Sequence, residues 1–332
     1  MRFGMTTMAV EPPDRFRRLV EIADDGGCEY LWVCDSSLHA RDVYSYLTVA
    51  ALASKKLRIG PNCTHPYTRH PAINLNAMAT IHELSGGRGI VAVATGDRPV
   101  MELGYPMARV AVVREMIEVI RDLESGKTVT RDGETFTLDS ARLCFDLPAP
   151  LPLYLAASGP RMLRMGGELA DGVLFLAGVN EDCVRYAMDR IREGAEAAGR
   201  DPGAIDVGCT VYGSLQDDAE AARALCRPMA AWFPQTSRQY AEIAGVPEER
   251  IENIRAAYAG GHFDQAKAAM DFVTDDMIDA FTVGGPSEVW VDRLNRIAAL
   301  GVEHINVFLL GPDRAEMGRR LVEDVFPHIG RG

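Results

Sequence analysis

Lysine is scarce in this 332-residue chain and occurs only at positions 55, 56, 127 and 267. None of these lies at the C-terminal end of a predicted strand, so Schiff-base chemistry of the aldolase kind has no nucleophile. Positive charge as a whole is in deficit: 35 Lys and Arg face 47 Asp and Glu, for a formal net charge of −12. That balance disfavours nucleic acid, whose phosphates need basic patches, and an anionic membrane surface. No run approaches the ~18 consecutive apolar residues that would span a bilayer. The opening MRFGMTTMAVEPPDRF lacks an apolar core of the export type, which predicts a cytoplasmic protein. The 7 cysteines, at 28, 34, 63, 144, 183, 209 and 226, form no CxxC pair, and the histidines form no HExxH motif. Neither a zinc site nor a disulfide framework is supported by that spacing. Reduced, mostly buried thiols are expected.

What the chain does have is a regular alternation of strand and helix patterns. Residues 57–59 are a short apolar run ended by Gly60-Pro61, and residues 90–94 are a β-rich run ended by Thr95-Gly96. Between them Ile73, Ala77, Ile81 and Leu84 stand at helical spacing, and Gly86-Gly87 closes the helix. This is one βαβ unit of a parallel sheet. The alternation predicts further strands over 2–6, 30–34, 153–157, 172–176, 204–212 and 304–309. Two segments depart from it. Asp132-Gly133 between β-rich runs marks a hairpin excursion over about 127–145. A mostly helical insertion over about 223–282 is expected to break at Pro228, Pro234, Gly245 and Gly260-Gly261. Eight strands alternating with helices favour a closed (β/α)₈ TIM barrel with insertions, one domain over 1–332, rather than an open doubly wound sheet.

Such a barrel carries its chemistry at the strand C-termini. The candidates there are Asp35, Ser36 and His39; Asn62, Cys63, Thr64 and His65; Thr95, Gly96 and Asp97; Ser158 and Gly159; Gly178 and Val179. Ser158-Gly159 and Gly178-Val179 each join a strand to a helix, and free amides at two adjacent helix starts could grip one phosphate. The alternative is that both are simple turn geometry. His39 reads either as a solvated loop residue or as a group exchanging protons near neutral pH. Asp35 reads either as a loop-orienting acceptor or as part of the chemistry. Arg41 and Asp42 read as an ion pair, and Arg69 as a residue that positions the following helix start. Cys63 either packs or touches a ligand.

The block CTHPYTRHPAINLNAMATIHELSGGRGIVAVATGD resembles the segment spanning strands three and four in the bacterial luciferase-like superfamily. RDVYSYLTVAA and the TxPYTRxP pattern are most similar to the methylenetetrahydromethanopterin reductase branch. LYLAASGPRMLRMGGELADGVLF and FTVGGPSEVWVDRLNRIAALGVEHINVFLLGP resemble the same family, so the likeness covers nearly the whole chain. It implies a TIM barrel that uses the deazaflavin F420 or FMN. The ring would sit over a bulge at Asn62-Cys63, beside Thr64, and the resemblance implies a non-prolyl cis peptide there. Thr95-Gly96 would reach the ring's pyrimidine edge. Ser158-Gly159 and Gly178-Val179 would hold the cofactor phosphate, and Asp35 and His39 would supply a proton or orient substrate. Two departures stand out: Ser36 follows Asp35 where methanogen reductases tend to have His, and Asn62-Cys63 replaces Gly-Val.

The resemblance thus implies F420-dependent hydride transfer to or from a small organic substrate. One alternative is an FMN-dependent monooxygenase using O₂ and a partner flavin reductase. Another, of a different class, is a cofactor-less binding or structural relative. A homodimer and a flavin or F420 reductase partner are expected. Trp232, Phe233 and Tyr240 of the insertion either wall the pocket or form a small core of their own.

Overall fold

The computed structural model describes residues 1–258 and 263–330; the expected break at Gly260-Gly261 lies outside the described residues. The strands are β1 (Arg2–Thr7), β2 (Tyr30–Val33), β3 (Arg58–Pro61), β4 (Val91–Val93), the hairpin β5 (Val129–Asp132) and β6 (Thr137–Ala141), β7 (Leu153–Ala157), β8 (Gly172–Phe175), β9 (Asp206–Leu215), β10 (Thr282–Gly285) and β11 (His304–Leu309). The main sheet runs β3-β2-β1-β11-β9-β8-β7-β4, with parallel pairing throughout. Its two ends meet. The Ile59 amide donates to the Arg88 carbonyl, the Ile90 amide to Ile59, and Thr64 exchanges bonds with Ala92 and Ala94. Eight strands therefore close into the (β/α)₈ barrel. All four residues of β2 are buried, as a strand covered on both faces requires.

The outer ring comprises α1 (Pro13–Asp25), α2 (Val43–Ala53), α3 (Pro71–Leu84), α4 (Arg98–Met101), α5 (Val110–Glu124), α6 (Pro160–Leu169), α7 (Glu181–Ala197), then α8 (Ala219–Thr236), α9 (Arg238–Ile243), α10 (Glu248–Ala257), α11 (Phe263–Met270), α12 (Asp275–Phe281), α13 (Ser287–Ala298) and α14 (Arg314–Arg320). Inside the barrel Tyr30, Trp32, Ile90, Ala92, Tyr154 and Leu174 form their own apolar cluster. The N-terminal face is closed by ions and hydroxyls. Asp206 accepts from Arg2, Tyr30, Tyr154 and His304.

Three expectations need correction. The insertion helix α8 does not break at Pro228 or Pro234 but runs through both. An interior proline costs about 3 kcal/mol; the burial of Cys226, Ala230, Ala231 and Phe233 on this helix outweighs it. The seventh barrel strand lies at Asp206–Leu215, three residues beyond the predicted end, and a short 3₁₀ turn occupies Pro202–Ala204. The extra strand β10 pairs with the far half of β9, from Tyr212 to Leu215, and was not expected.

Among the described residues no helix is long and apolar enough to cross a membrane, and no group of His, Cys, Asp and Glu could hold a metal ion.

Candidate active site at the barrel mouth

The third strand leaves its pairing with β2 after Pro61, and the chain resumes pairing with β4 only at Thr64. Between those points Asn62-Cys63 is a cis peptide, as the resemblance implied. The Asn62 side chain donates to the Thr6 hydroxyl (3.2 Å), which also receives the side-chain amide of Asn306 (2.7 Å). Burial, with Asp35 and Asp97 nearby, pushes the Cys63 thiol up to about 12. Cys63 is therefore a protonated, weakly reactive wall of the mouth.

Asp35 follows β2 and its side chain is only 2% exposed. Its Oδ2 accepts from the Thr64 hydroxyl (2.9 Å) and from Arg69 (2.8 Å). Arg69 reaches on to Asp42 (2.8 Å), which caps α2 at the Ser45 amide, and its guanidinium lies over the Tyr44 ring. This extends one reading and corrects another. The Arg69 side chain ties the β2 loop to the start of α2, while its carbonyl accepts from Asn74 (3.4 Å) in the first turn of α3, where His70 Nδ1 also accepts from the Ala72 amide. Arg41 does not pair with Asp42; it donates to the carbonyls of Val10 and Glu11. His65 is buried, and that burial lowers its pKa despite the Asp35 charge. Its ring meets the Thr68 hydroxyl at 3.2 Å. His39 sits higher on the rim, with Nε2 2.5 Å from the Glu102 carboxylate on the loop beyond β4.

Gly96 has φ +77, and a Cβ there would lie 2.6 Å from Val100 and 3.3 Å from His65. Only glycine fits so close a backbone approach. The neighbouring Thr95 carbonyl is fixed by the Ala108 amide (2.8 Å). Asp97, the next residue, receives the indole N–H of Trp232 from the insertion (3.3 Å).

The two glycine loops turn out unlike each other. Gly159 caps α6 without any side-chain cap, and a Cβ on it would meet nothing within 4 Å. The carbonyl of Ser158 is turned away by bonds from Gln239 (3.1 Å) and the Tyr240 hydroxyl (2.9 Å). The start of α6 is thus left open at Gly159, with no side chain capping it, and a phosphate could approach there. Gly178-Val179 does not fit in the same way. The amides of Val179 and Asn180 both donate to the Ala280 carbonyl (2.8 Å each), and Asn180 caps α7. The loop lines a cleft of about 460 Å³ that also holds Glu181, Asp182, Asp276 and Asp279 together with Arg185, Arg293 and Arg296. A Val179 amide already bonded to Ala280 is not free to donate to a phosphate.

Sequence patterns located the strand ends. They missed Gln239, and the bonds by which Arg69 and Tyr240 shape the mouth, because those bonds join segments far apart in the chain.

Residues 1–304 match the family model described as luciferase-like monooxygenase. The chain belongs to that family. Among its relatives, 5,10-methylenetetrahydromethanopterin reductase of Archaeoglobus fulgidus is 32% identical over 99% of this chain and 100% of its own length. F420-dependent glucose-6-phosphate dehydrogenase of Nakamurella multipartita is 24% identical over 99% of this chain and 96% of its own. The solved structure of the coenzyme F420-dependent tetrahydromethanopterin reductase from Methanopyrus kandleri superposes with a TM-score of 0.86 at 30% identity, covering 99% of both chains. This luciferase-like barrel thus shares its architecture end to end with those relatives, insertion included.

Proposed function

We propose that this protein is an F420-dependent oxidoreductase acting on a small organic substrate. The observation that carries the reading is the full-length likeness to F420-dependent enzymes, joined to a mouth with an open helix start that a phosphorylated ligand could approach. When bound, F420 would supply the hydride donor or acceptor. The chain's own residues do the rest. Asn62, Cys63 and Thr64 would back the ring, with Thr95 and the close-set Gly96 at its edge. Ser158 and Gly159 would receive the phosphate at the open start of α6; Gly178 would shape the neighbouring turn rather than bind. Asp35, ion-paired to Arg69, orients the mouth. His39 holds or releases a proton at its Nε2, opposite Glu102, when the substrate's hydride transfer needs one. The insertion, through Trp232, limits water at the mouth.

The FMN-dependent monooxygenase reading is the weaker one, since the relatives spanning the whole chain at 24–32% identity carry F420 enzyme names or are pterin reductases. The full-length likeness to F420-dependent enzymes weighs against the cofactor-less reading. We further propose a cytoplasmic homodimer of single-domain chains, supplied with reduced F420 by a separate reductase. The test is spectroscopic. Oxidised F420 is mixed with enzyme and a panel of secondary alcohols, and reduced F420 with enones, imines and a methylene pterin. Bleaching or recovery of the deazaflavin visible band with one class identifies the substrate. No change with either redox form across the panel would count against the activity.

A further inference from the structure

The proposal concerns what holds the bulge in place, and it rests on the reading of the mouth as a cofactor seat. Thr64, 0% exposed, is the residue at which the broken third strand rejoins β4. Its backbone is fixed by Ala92 and Ala94, and its hydroxyl donates to Asp35 Oδ2 (2.9 Å), with Asn74 Oδ1 a longer second acceptor (3.4 Å). That same oxygen takes the Arg69 guanidinium. Arg69 in turn spans to Asp42 at the cap of α2 and stacks 4.8 Å over Tyr44, whose hydroxyl donates to the buried Asn74 of α3 (2.7 Å). One cation thus joins the end of β2, the start of α2, the start of α3 and the bulge. The Asp42 end is half exposed and weak, whereas the Asp35 end is desolvated.

We infer that Arg69 is a positioning residue for the barrel mouth. It holds the Asp35 carboxylate aimed at Thr64, and through Thr64 it sets the Asn62-Cys63 wall against which a cofactor would lie. Without Arg69 the buried carboxylate loses its counter-charge and turns towards water. Thr64 is then left with only its longer contact to Asn74 Oδ1 (3.4 Å), and the bulge loosens.

The cysteines make the test specific. Cys28, Cys34, Cys183, Cys209 and Cys226 are buried throughout the barrel, Cys63 is in the bulge and Cys144 is exposed. Alkylation of each thiol by iodoacetamide is followed by peptide mass spectrometry in the native protein and in Arg69→Met, Arg69→Lys, Thr64→Val and Thr64→Ser. The expected result is a rise of about tenfold or more in labelling at Cys63 alone for Arg69→Met and Thr64→Val. Thr64→Ser, which keeps the hydroxyl, restores the native rate, and Arg69→Lys restores it in part. Equal labelling of all buried cysteines in the Arg69 and Thr64 variants would mean general unfolding and would overturn a local role. Unchanged Cys63 labelling in both Arg69→Met and Thr64→Val overturns it as well. F420 binding, measured on the same proteins, should weaken in step with Cys63 labelling. If the native protein binds no F420 while Cys63 behaves as expected, the cofactor reading fails and the positioning role of Arg69 stands.

Discussion

Trp232, on the insertion helix α8, donates its indole N–H to the Asp97 carboxylate, 135 residues earlier on the loop after β4. The bond places a helix outside the (β/α)₈ repeat directly over the strand ends where a cofactor would lie. Ser158, one barrel unit further on, is tied to the same insertion through Gln239 and Tyr240. The insertion is therefore a roof anchored on the rim at Asp97, at Ser158 and, through Ala280, at Val179 and Asn180.

Removing the Trp232 anchor should loosen that roof without unfolding the barrel, because the bond lies near the surface. Trp232→Phe and Asp97→Asn are each expected to cost about 0.5–1.5 kcal/mol in cofactor affinity, or about three- to tenfold. The double variant should cost no more than the worse single one. Equilibrium titration of all three checks this; additive losses would show that the two residues act separately.

The two glycine loops should respond in opposite ways to a single methyl group. Gly159→Ala meets open space and is expected to leave the melting temperature within the error of a surface change, about 0.5 kcal/mol. It should weaken F420 binding by about tenfold, or 1.4 kcal/mol, and leave binding of the phosphate-free deazaflavin unchanged. Gly178→Ala adds a Cβ at φ +78 against the Ala280 carbonyl (2.8 Å) and should destabilise the fold by roughly 2–4 kcal/mol. Urea denaturation and a paired titration with the two deazaflavins separate these outcomes.

Much of this was legible in the sequence, and the limits have physical causes. The apolar runs at β2, β7 and β11 announced themselves because buried parallel strands need apolar residues on both faces. Cys63 and Gly96 could be placed at strand ends once those runs were found. β10 is four residues long and directly follows α12, so it offers too little alternation to detect. The continuity of α8 through Pro228 and Pro234 depends on what the helix packs against, which local propensity does not contain. Val179 looked like a phosphate donor from its glycine neighbour; only the fold shows its amide bonded to Ala280, a hundred residues away in the chain. The Asp35–Arg69–Thr64 linkage was hidden for the same reason.

The N-terminal face offers a stability test remote from the chemistry. Burial opposes ionisation of Asp206, but His304 and the hydroxyls of Tyr154 and Tyr30 outweigh it and hold the carboxyl well below its usual range. A depressed folded-state value contributes stability above the unfolded value of about 3.9 and loses it as pH falls through the folded value. Asp206→Asn should therefore cost about 3 kcal/mol at pH 7, and the gap to the native protein should narrow steadily below pH ~4. Turnover per folded molecule should be unchanged, since this face is opposite the mouth. Denaturant melts at several pH values, with activity assayed alongside, measure both.

The most direct test of the central claim is a paired fluorescence titration of the native protein with oxidised F420 and with FMN. The expected result is saturable F420 binding at micromolar or lower concentration, weakened by Gly159→Ala, with FMN binding at least about a hundredfold weaker. Tight FMN binding without F420 binding would contradict the assignment and point to oxygen chemistry with a flavin reductase partner.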